Sequence, residues 1–536
     1  MTDQRRDDRR PNPPRDNRDS RSQGGPRGPH QGGDSRARRD PRAGRSEFAP
    51  VVSRPVPAPR PAPVPAAVVQ SGVPHGAREG GWLPDCVYTG EKFEFGLAFF
   101  ADTMGRITRF SREPADLAAA RRLAGQAALP GLVNAHTHSF HRVLRGRTEQ
   151  RGRAEQGPCE VWREAHDRVV ARLTGEDVFD VARMAFLEML FAGVTCVGEF
   201  HYLHHQPDGS PWPDPNFLSQ EIIRAAHDVG IRIALLKVAQ VRAGFRAEAG
   251  SAPGRSRHAG VDSFVREMEA LRLAVEKGHL ADEAWLGVAA DSLATVPLDA
   301  FKAIATYARA QRMRLHTHVS TTADENAACL AEYGRTPVTL LAEHGFVDKR
   351  FTAVDAIHVT DEEVKLLGTA RAAVCACPIS EQNLGLGVAP AEKFLAAGAG
   401  LALGSDTNTQ IDLLQEARLL EYRLRGAGRP RAGIAPDAAT AVFHAATVTG
   451  ARSLGATSGA LEVGRPADFF TVNLADPSIA GAEAGVLLAH IVFALERRAI
   501  REVWVGARQR IVNGRHVTHG SIVGRFVDLQ KRLWEA

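Results

Sequence analysis

From about Gly131 the chain alternates short apolar runs with longer amphipathic stretches, and it does so eight times in succession. The runs are Leu132-Val133-Asn134-Ala135, Thr195 to Gly198, Ile231 to Val238, Trp285 to Ala289, Arg314 to Val319, Ala353 to His358, Ala373 to Cys377, and Leu401 to Gly404. A strand buried on both faces reads as an unbroken apolar run, and joining it to a parallel neighbour takes a helix's length of chain. Eight strand-then-helix units predict an α/β protein: a (β/α)8 barrel over residues 130–457, with its functional side chains where the strands end. Residues 82–129 and 458–536 do not fit that rhythm. They hold short strand candidates and glycine turns, among them Ala467-Asp468-Phe469-Phe470-Thr471-Val472 and Val503-Trp504-Val505-Gly506. A small β-sandwich assembled from both flanks is the expectation.

Residues 1–80 are rich first in Arg, Gly, Asp and Ser and then in Pro, as in Pro55-Val56-Pro57-Ala58-Pro59-Arg60-Pro61. Such sequence buries too little apolar surface to fold, so a disordered, solvated tail is expected. The net charge of +5 comes with arginines concentrated in this stretch and says little about the folded body. Nucleic-acid binding would call for aromatic side chains among the arginines, and Phe48 alone precedes Trp82. No apolar run is long enough for a bilayer, and the first residues are polar rather than signal-like. A cytoplasmic enzyme acting on a small molecule follows, with its six cysteines reduced.

His136 and His138 close the first run as His-x-His, and the two-residue period of a strand turns both imidazoles to one face. His318 ends the fifth run, and Asp406 follows the eighth in Leu403-Gly404-Ser405-Asp406. Only barrel closure brings four such distant residues to one rim. Three imidazoles and a carboxylate suit one divalent metal, Zn2+ or Fe2+, and leave a position open.

Several motifs together resemble deaminases of the amidohydrolase superfamily. They are Pro130-Gly131-Leu132-Val133-Asn134-Ala135-His136-Thr137-His138, the strand-five histidine, Gly404-Ser405-Asp406, and Gly459-Ala460-Leu461-Glu462-Val463-Gly464-Arg465-Pro466-Ala467-Asp468. Within the superfamily the chain is most similar to the formimidoylglutamate deiminases of histidine degradation. Phe140 with Arg142, Val161-Trp162-Arg163-Glu164, Glu199-Phe200-His201-Tyr202-Leu203-His204-His205, Asn383-Leu384-Gly385 and Leu419-Leu420-Glu421-Tyr422 carry that likeness. The resemblance implies a homodimer and one metal. Binuclear members use a strand-four lysine, where this chain reads Val288-Ala289-Ala290-Asp291-Ser292.

The resemblance also marks departures. The family's glutamate three residues after the strand-five histidine is Thr321 here, and its strand-six histidine is Asp355. With Asp406, these are the candidate catalytic positions. Family binding positions are retained at Arg163 and Tyr202, whereas His141 replaces a glutamine, Asp291 a histidine and Ala294 an arginine. A cation and an imidazole leave the pocket while carboxylates enter it, a change that favours a neutral or cationic substrate over a dicarboxylate. The main reading is a hydrolase or deaminase acting on a C–N bond of an amidine- or formimino-type molecule. The alternatives are a divergent paralogue with a different metal-dependent reaction and a catalytically silent binding protein. His201 and His358 are the histidines that stand nearest to replacing the missing relay, with His358 read as a loop residue.

Overall fold

The computed structural model describes residues 79–535, apart from 151–156, 253, 279–282, 429, 430 and 432. The expected tail lies outside the described residues up to position 78.

Eight parallel strands pair in chain order: Leu132–Thr137, Val194–His201, Arg232–Ala239, Ala284–Ala290, Leu315–Val319, Phe351–Asp355, Ala373–Ala376 and Gly400–Leu403. The ring closes between the last and the first. The His136 carbonyl accepts from the Ser405 and Asp406 N–H groups at 3.0 and 3.1 Å, and the Asp406 carbonyl accepts from the His138 N–H at 3.0 Å. Helices cover the outside. Gly175–Phe191 opens on a capping box, in which the Asp177 N–H donates to the Thr174 hydroxyl and the Asp177 carboxylate accepts the Thr174 N–H. Phe217–Val229 buries Leu218, Ile222, Ile223, Ala226 and Val229, the helical spacing of one core-facing stripe.

All eight expected strands are present, and the sixth ends sooner than its apolar run. Its last residue is Asp355, because Asp355 and Ala356 take left-handed φ values of 69° and 49° and turn the chain out of the sheet. His358 therefore sits in a loop, where its Nε2 meets the Leu386 carbonyl at 2.9 Å.

The flanks build one mixed sheet in the order Arg508–Ile511, Ile500–Val505, Phe469–Asn473, Arg121–Pro130, Gly80–Tyr88, Ala98–Ala101, Ile107–Ser111, with Phe93–Phe95 also on Gly80–Tyr88. In a flat sheet, strands three places apart would stand about 14 Å apart. Yet the Trp82 and Trp504 ring centroids are 5.1 Å apart, as are those of Phe99 and Phe469. The sheet therefore folds over, and its two leaves enclose this aromatic core as those of a sandwich do. Asp468 ties it to the barrel: its carboxylate accepts from Arg232 at 2.8 Å, Ser458 at 2.8 Å and the Gly506 N–H at 2.6 Å. The end of the second flank differs from the expected run of strands. His519–Trp534 is a helix whose Ile522, Phe526, Leu529 and Leu533 form a buried stripe, and its Arg525 pairs with Asp180 of the barrel helix at 2.8 Å. All six cysteines are free.

The closing seam leaves no space at Gly404. A Cβ there would stand 2.7 Å from the His136 carbonyl oxygen and 2.9 Å from Cys377 Sγ. Gly404→Ala is expected to destabilise the chain by about 1–3 kcal/mol, the usual cost of overpacking, seen as a lowered midpoint in urea unfolding. An unchanged midpoint would show that the seam is loose.

Candidate metal centre

His136, His138 and His318 come together where the first and fifth strands end, and a ring nitrogen from each lies within 4.8 Å of the others. The His136 and His138 rings are 4.9 Å apart, as are those of His136 and His318. Asp406 enters from the turn after the last strand, with Oδ1 3.6 Å from His136 Nε2 and 3.4 Å from His138 Nε2. The surrounding bonds choose which nitrogen each ring offers. His138 Nδ1 sits 2.8 Å from the Phe200 carbonyl, which leaves Nε2 for the centre. His318 Nδ1 sits 2.9 Å from Asp355 Oδ2, with the same consequence.

Both nitrogens of His136 are buried without a hydrogen-bond partner. A buried polar atom left alone costs about 1–3 kcal/mol, so an orphaned imidazole beside a carboxylate and two more imidazoles fits a metal ion. Burial pushes His136 down to about 4 and keeps it a neutral donor. Burial alone would raise Asp406, but the His136 and His138 imidazoles beside it reverse that and hold it well below the usual carboxylate range.

The two departures from the family pattern meet on one atom. Asp355 Oδ2 takes the His318 Nδ1 hydrogen at 2.9 Å and the Thr321 hydroxyl at 2.7 Å. Despite burial, the Asp355 charge lifts His318 to about 9. A carboxylate behind a ligating histidine orients the ring and strengthens it as a donor. Asp291 lies beside His318 and Tyr202, its carboxylate accepting from the Thr295 hydroxyl at 2.8 Å.

The opposite wall is aromatic. His141 Nε2 is 2.7 Å from the Tyr202 hydroxyl, which is also 2.6 Å from His166 Nε2, and Trp162 stacks on His166 at 5.0 Å. Burial drives His141 well below its ordinary value and Tyr202 well above, so both are neutral. Arg163, on the helix Pro158–Val170 that carries Trp162 and His166, is exposed. His201 is not part of the centre. Its neighbour Phe200 packs 4.9 Å from His136, and strand alternation turns His201 to the other face, where it lies 5.9 Å from His204.

Two participants escaped the sequence reading, and a third, Glu199, entered it only as part of a motif. His166 follows Trp162 by four residues and so shares its helix face. Glu325 accepts the Thr321 N–H at 2.8 Å, leaves its buried Oε1 unpartnered, and is pushed up by burial to about 7. Glu199 takes the Ser139 N–H and hydroxyl at 2.9 and 2.7 Å, pinning the turn after His138, and burial raises it to about 8. For each the signal was helical spacing or strand alternation.

Because Asp355 supports His318, Asp355→Ala is expected to weaken metal affinity by about 10- to 100-fold. Chelator competition on the metal-loaded protein measures it, and unaltered affinity would refute the support.

Comparison with known proteins agrees with this geometry. The chain is 36% identical to the formimidoylglutamate deiminase of Pseudomonas aeruginosa over 429 residues, covering 79% of this chain and 92% of that protein. It is 30% identical to the 8-oxoguanine deaminase of the same organism over 396 residues, 72% of this chain and 82% of that one. A crystal structure of an amidohydrolase from Brucella melitensis superposes with a TM-score of 0.78 at 29% identity, covering 85% of this chain and 99% of that one. An adenosine deaminase from Xanthomonas campestris with bound zinc shares the fold at TM-score 0.72 and 23% identity, over 85% of this chain and 98% of its own. The amidohydrolase family model matches residues 127–517, which takes in the whole barrel, the candidate metal centre and the strands of the second flank, and the chain belongs to that family of hydrolases.

Proposed function

We propose that this chain hydrolyses a C–N bond of a small amidine- or formimino-type molecule, releasing ammonia, and that it prefers a neutral or cationic substrate to a dicarboxylate. The observation that carries the preference is the charge around the centre. Asp291, Asp355 and Asp406 crowd it. Arg163 is exposed, and Arg242, the cation against the Leu293–Ala294 backbone, is held by those two carbonyls and by Glu332 at 2.7 to 2.8 Å. Such surroundings repel a second and third carboxylate and attract an amidinium. The formimidoylglutamate deiminase likeness supports the bond that is cut, and convergence of all four ligand candidates supports a working centre over a silent one.

His136, His138, His318 and Asp406 would hold the cation, taken as Zn2+ on its donor set. When bound, it supplies the acidity that makes water a nucleophile near neutral pH. In the overall change the water oxygen joins the amidine carbon, the C–N bond breaks, and both water hydrogens end on nitrogen as an amide and ammonia leave. Asp406, ionised at the centre, accepts the first proton. Thr321 cannot ionise near neutrality, and Asp355 already takes two hydrogens, so neither supplies the rapid relay of a glutamate–histidine pair. Acid–base help of that kind is worth about 10² to 10⁴ in rate. The proposal also includes a homodimer and a cytoplasmic location. Among the described residues no helix is long and apolar enough to cross a membrane.

Ammonia release by zinc-loaded protein from amidines, guanidines and formiminoglutamate is the test. Formiminoglutamate is expected to be the poorer substrate, and Ala294→Arg to lower its KM with little change in kcat, because a carboxylate clamp acts on ground and transition states alike. Efficient turnover of formiminoglutamate by the unaltered chain would overturn the charge argument.

A further inference from the structure

The wall beside His138 contains four side chains in a single line of hydrogen bonds, and its outer end sets the direction of the hydrogens in it. Asp167 can only accept. His166 Nδ1 lies 2.9 Å from Asp167 Oδ1, so the hydrogen of that imidazole is on Nδ1. In its neutral form, the form on which the line depends, that imidazole has one N–H, and His166 Nε2 accepts from the Tyr202 hydroxyl at 2.6 Å. Tyr202 has one hydrogen and has given it to His166. Its oxygen therefore accepts from His141 Nε2 at 2.7 Å, and the His141 hydrogen is on Nε2. His141 Nδ1 is then a bare lone pair, and it is buried with no hydrogen-bond partner. The His141 ring stands 4.5 Å from that of His138, and one of its nitrogens is within 4.8 Å of donor atoms on His138 and Asp406.

We infer that Asp167, His166 and Tyr202 fix His141 in the tautomer that offers Nδ1 as a hydrogen-bond acceptor to the substrate, selecting molecules with an N–H beside the scissile carbon, as amidines, guanidines and amino-heteroarenes have. His138 cannot serve a second metal beside His141, because its Nδ1 meets the Phe200 carbonyl and its single remaining nitrogen faces the first centre. His141 is thus a specificity-determining residue, and Asp167 and His166 are positioning residues acting through Tyr202. Trp162 keeps His166 in place by stacking on it and meets His141 edge-on at 5.0 Å. The identity of the ligand rests on the proposed C–N hydrolysis; the tautomer does not.

The test uses the full chain, zinc-loaded and labelled with 15N-histidine. Nitrogen–proton correlation separates bare from protonated ring nitrogens, and His141→Phe assigns the signals. A bare Nδ1 with a protonated Nε2 is expected for His141, and Tyr202→Phe or Asp167→Ala should let the second tautomer appear. Added benzamidine should shift the Nδ1 resonance and bind at least about fivefold more tightly than its fully N-methylated counterpart, a preference that His141→Phe removes, since an unmet buried hydrogen bond costs at least that much. A protonated Nδ1 in the unaltered protein overturns the inference, as does a tautomer unaffected by both variants, or equal binding of the two amidines. Ammonia release from benzamidine-type compounds is scored separately. Its absence alongside the expected shift would sink the C–N reading and leave the His141 assignment standing.

Discussion

Closure of the barrel between its first and last strands is the constraint on which everything else depends. Three backbone bonds join His136 and His138 to Ser405 and Asp406, so the segments that close the ring are the segments that carry three of the four ligand candidates. A buried side-chain lattice reinforces the joint. Asn134 donates to Ser405 Oγ at 2.7 Å and accepts the Ser405 N–H at 3.0 Å, Asn408 Oδ1 takes hydrogens from Thr137 and Ser405, and Asn408 Nδ2 donates to the His138 carbonyl at 2.8 Å. Satisfied networks in a low dielectric are stiff, and stiffness is what a centre with imidazoles 4.9 Å apart requires. Fold and site are stabilised by the same bonds.

The substitutions at positions 321 and 355 are intelligible as one change. Asp355 Oδ2 takes hydrogens from both His318 and Thr321, so a hydroxyl at 321 is a partner for a carboxylate at 355. A glutamate at 321 would instead set a second carboxylate against Asp355, with Glu325 already nearby, and like charges at that range raise each other's pKa or separate. The pair gives His318 a firm carboxylate partner. On the aromatic wall His141 and Tyr202 are neutral and hydrogen-bonded. The candidate centre thus has a carboxylate side, with Asp355 on His318, and an imidazole–phenol side of His141, Tyr202 and His166.

The barrel was legible because parallel strands buried on both faces cannot hide: each is an apolar run, and eight were visible from Leu132 to Gly404. The convergence of His136, His138, His318 and Asp406 was legible because strand ends are where barrels place chemistry. The end of the sixth strand was not, since Asp355 and Ala356 turn left-handed without a glycine to announce it. His166 was missed because a lone histidine on an amphipathic helix looks like any half-buried polar residue until Tyr202 arrives from just past the end of the second barrel strand. The helix His519–Trp534 was missed because its stripe is only four residues, Ile522, Phe526, Leu529 and Leu533, in a stretch otherwise read for glycine turns. In each case the deciding partner was distant in sequence.

Backbone strain follows the same geography. Ser320, Asp355, Ala356, Asp406 and Asn408 all have φ between 40° and 69°, and all lie at or just beyond the carboxyl ends of the fifth, sixth and eighth strands. Each such non-glycine residue costs of order 1–3 kcal/mol and persists only where its surroundings over-determine it. Those surroundings are identifiable here. The Ser320 carbonyl accepts the His358 N–H at 2.9 Å, the Val319 carbonyl accepts the Ala356 N–H at 3.1 Å, and Glu325 takes the Thr321 N–H. Without these turns Asp355 would continue its strand, and strand alternation would carry its carboxylate away from His318. Glu325, buried and protonatable, thereby holds the partner of His318 in place from one helical turn away, and the strain it stabilises is what lets two neighbouring strands aim a histidine and a carboxylate at each other.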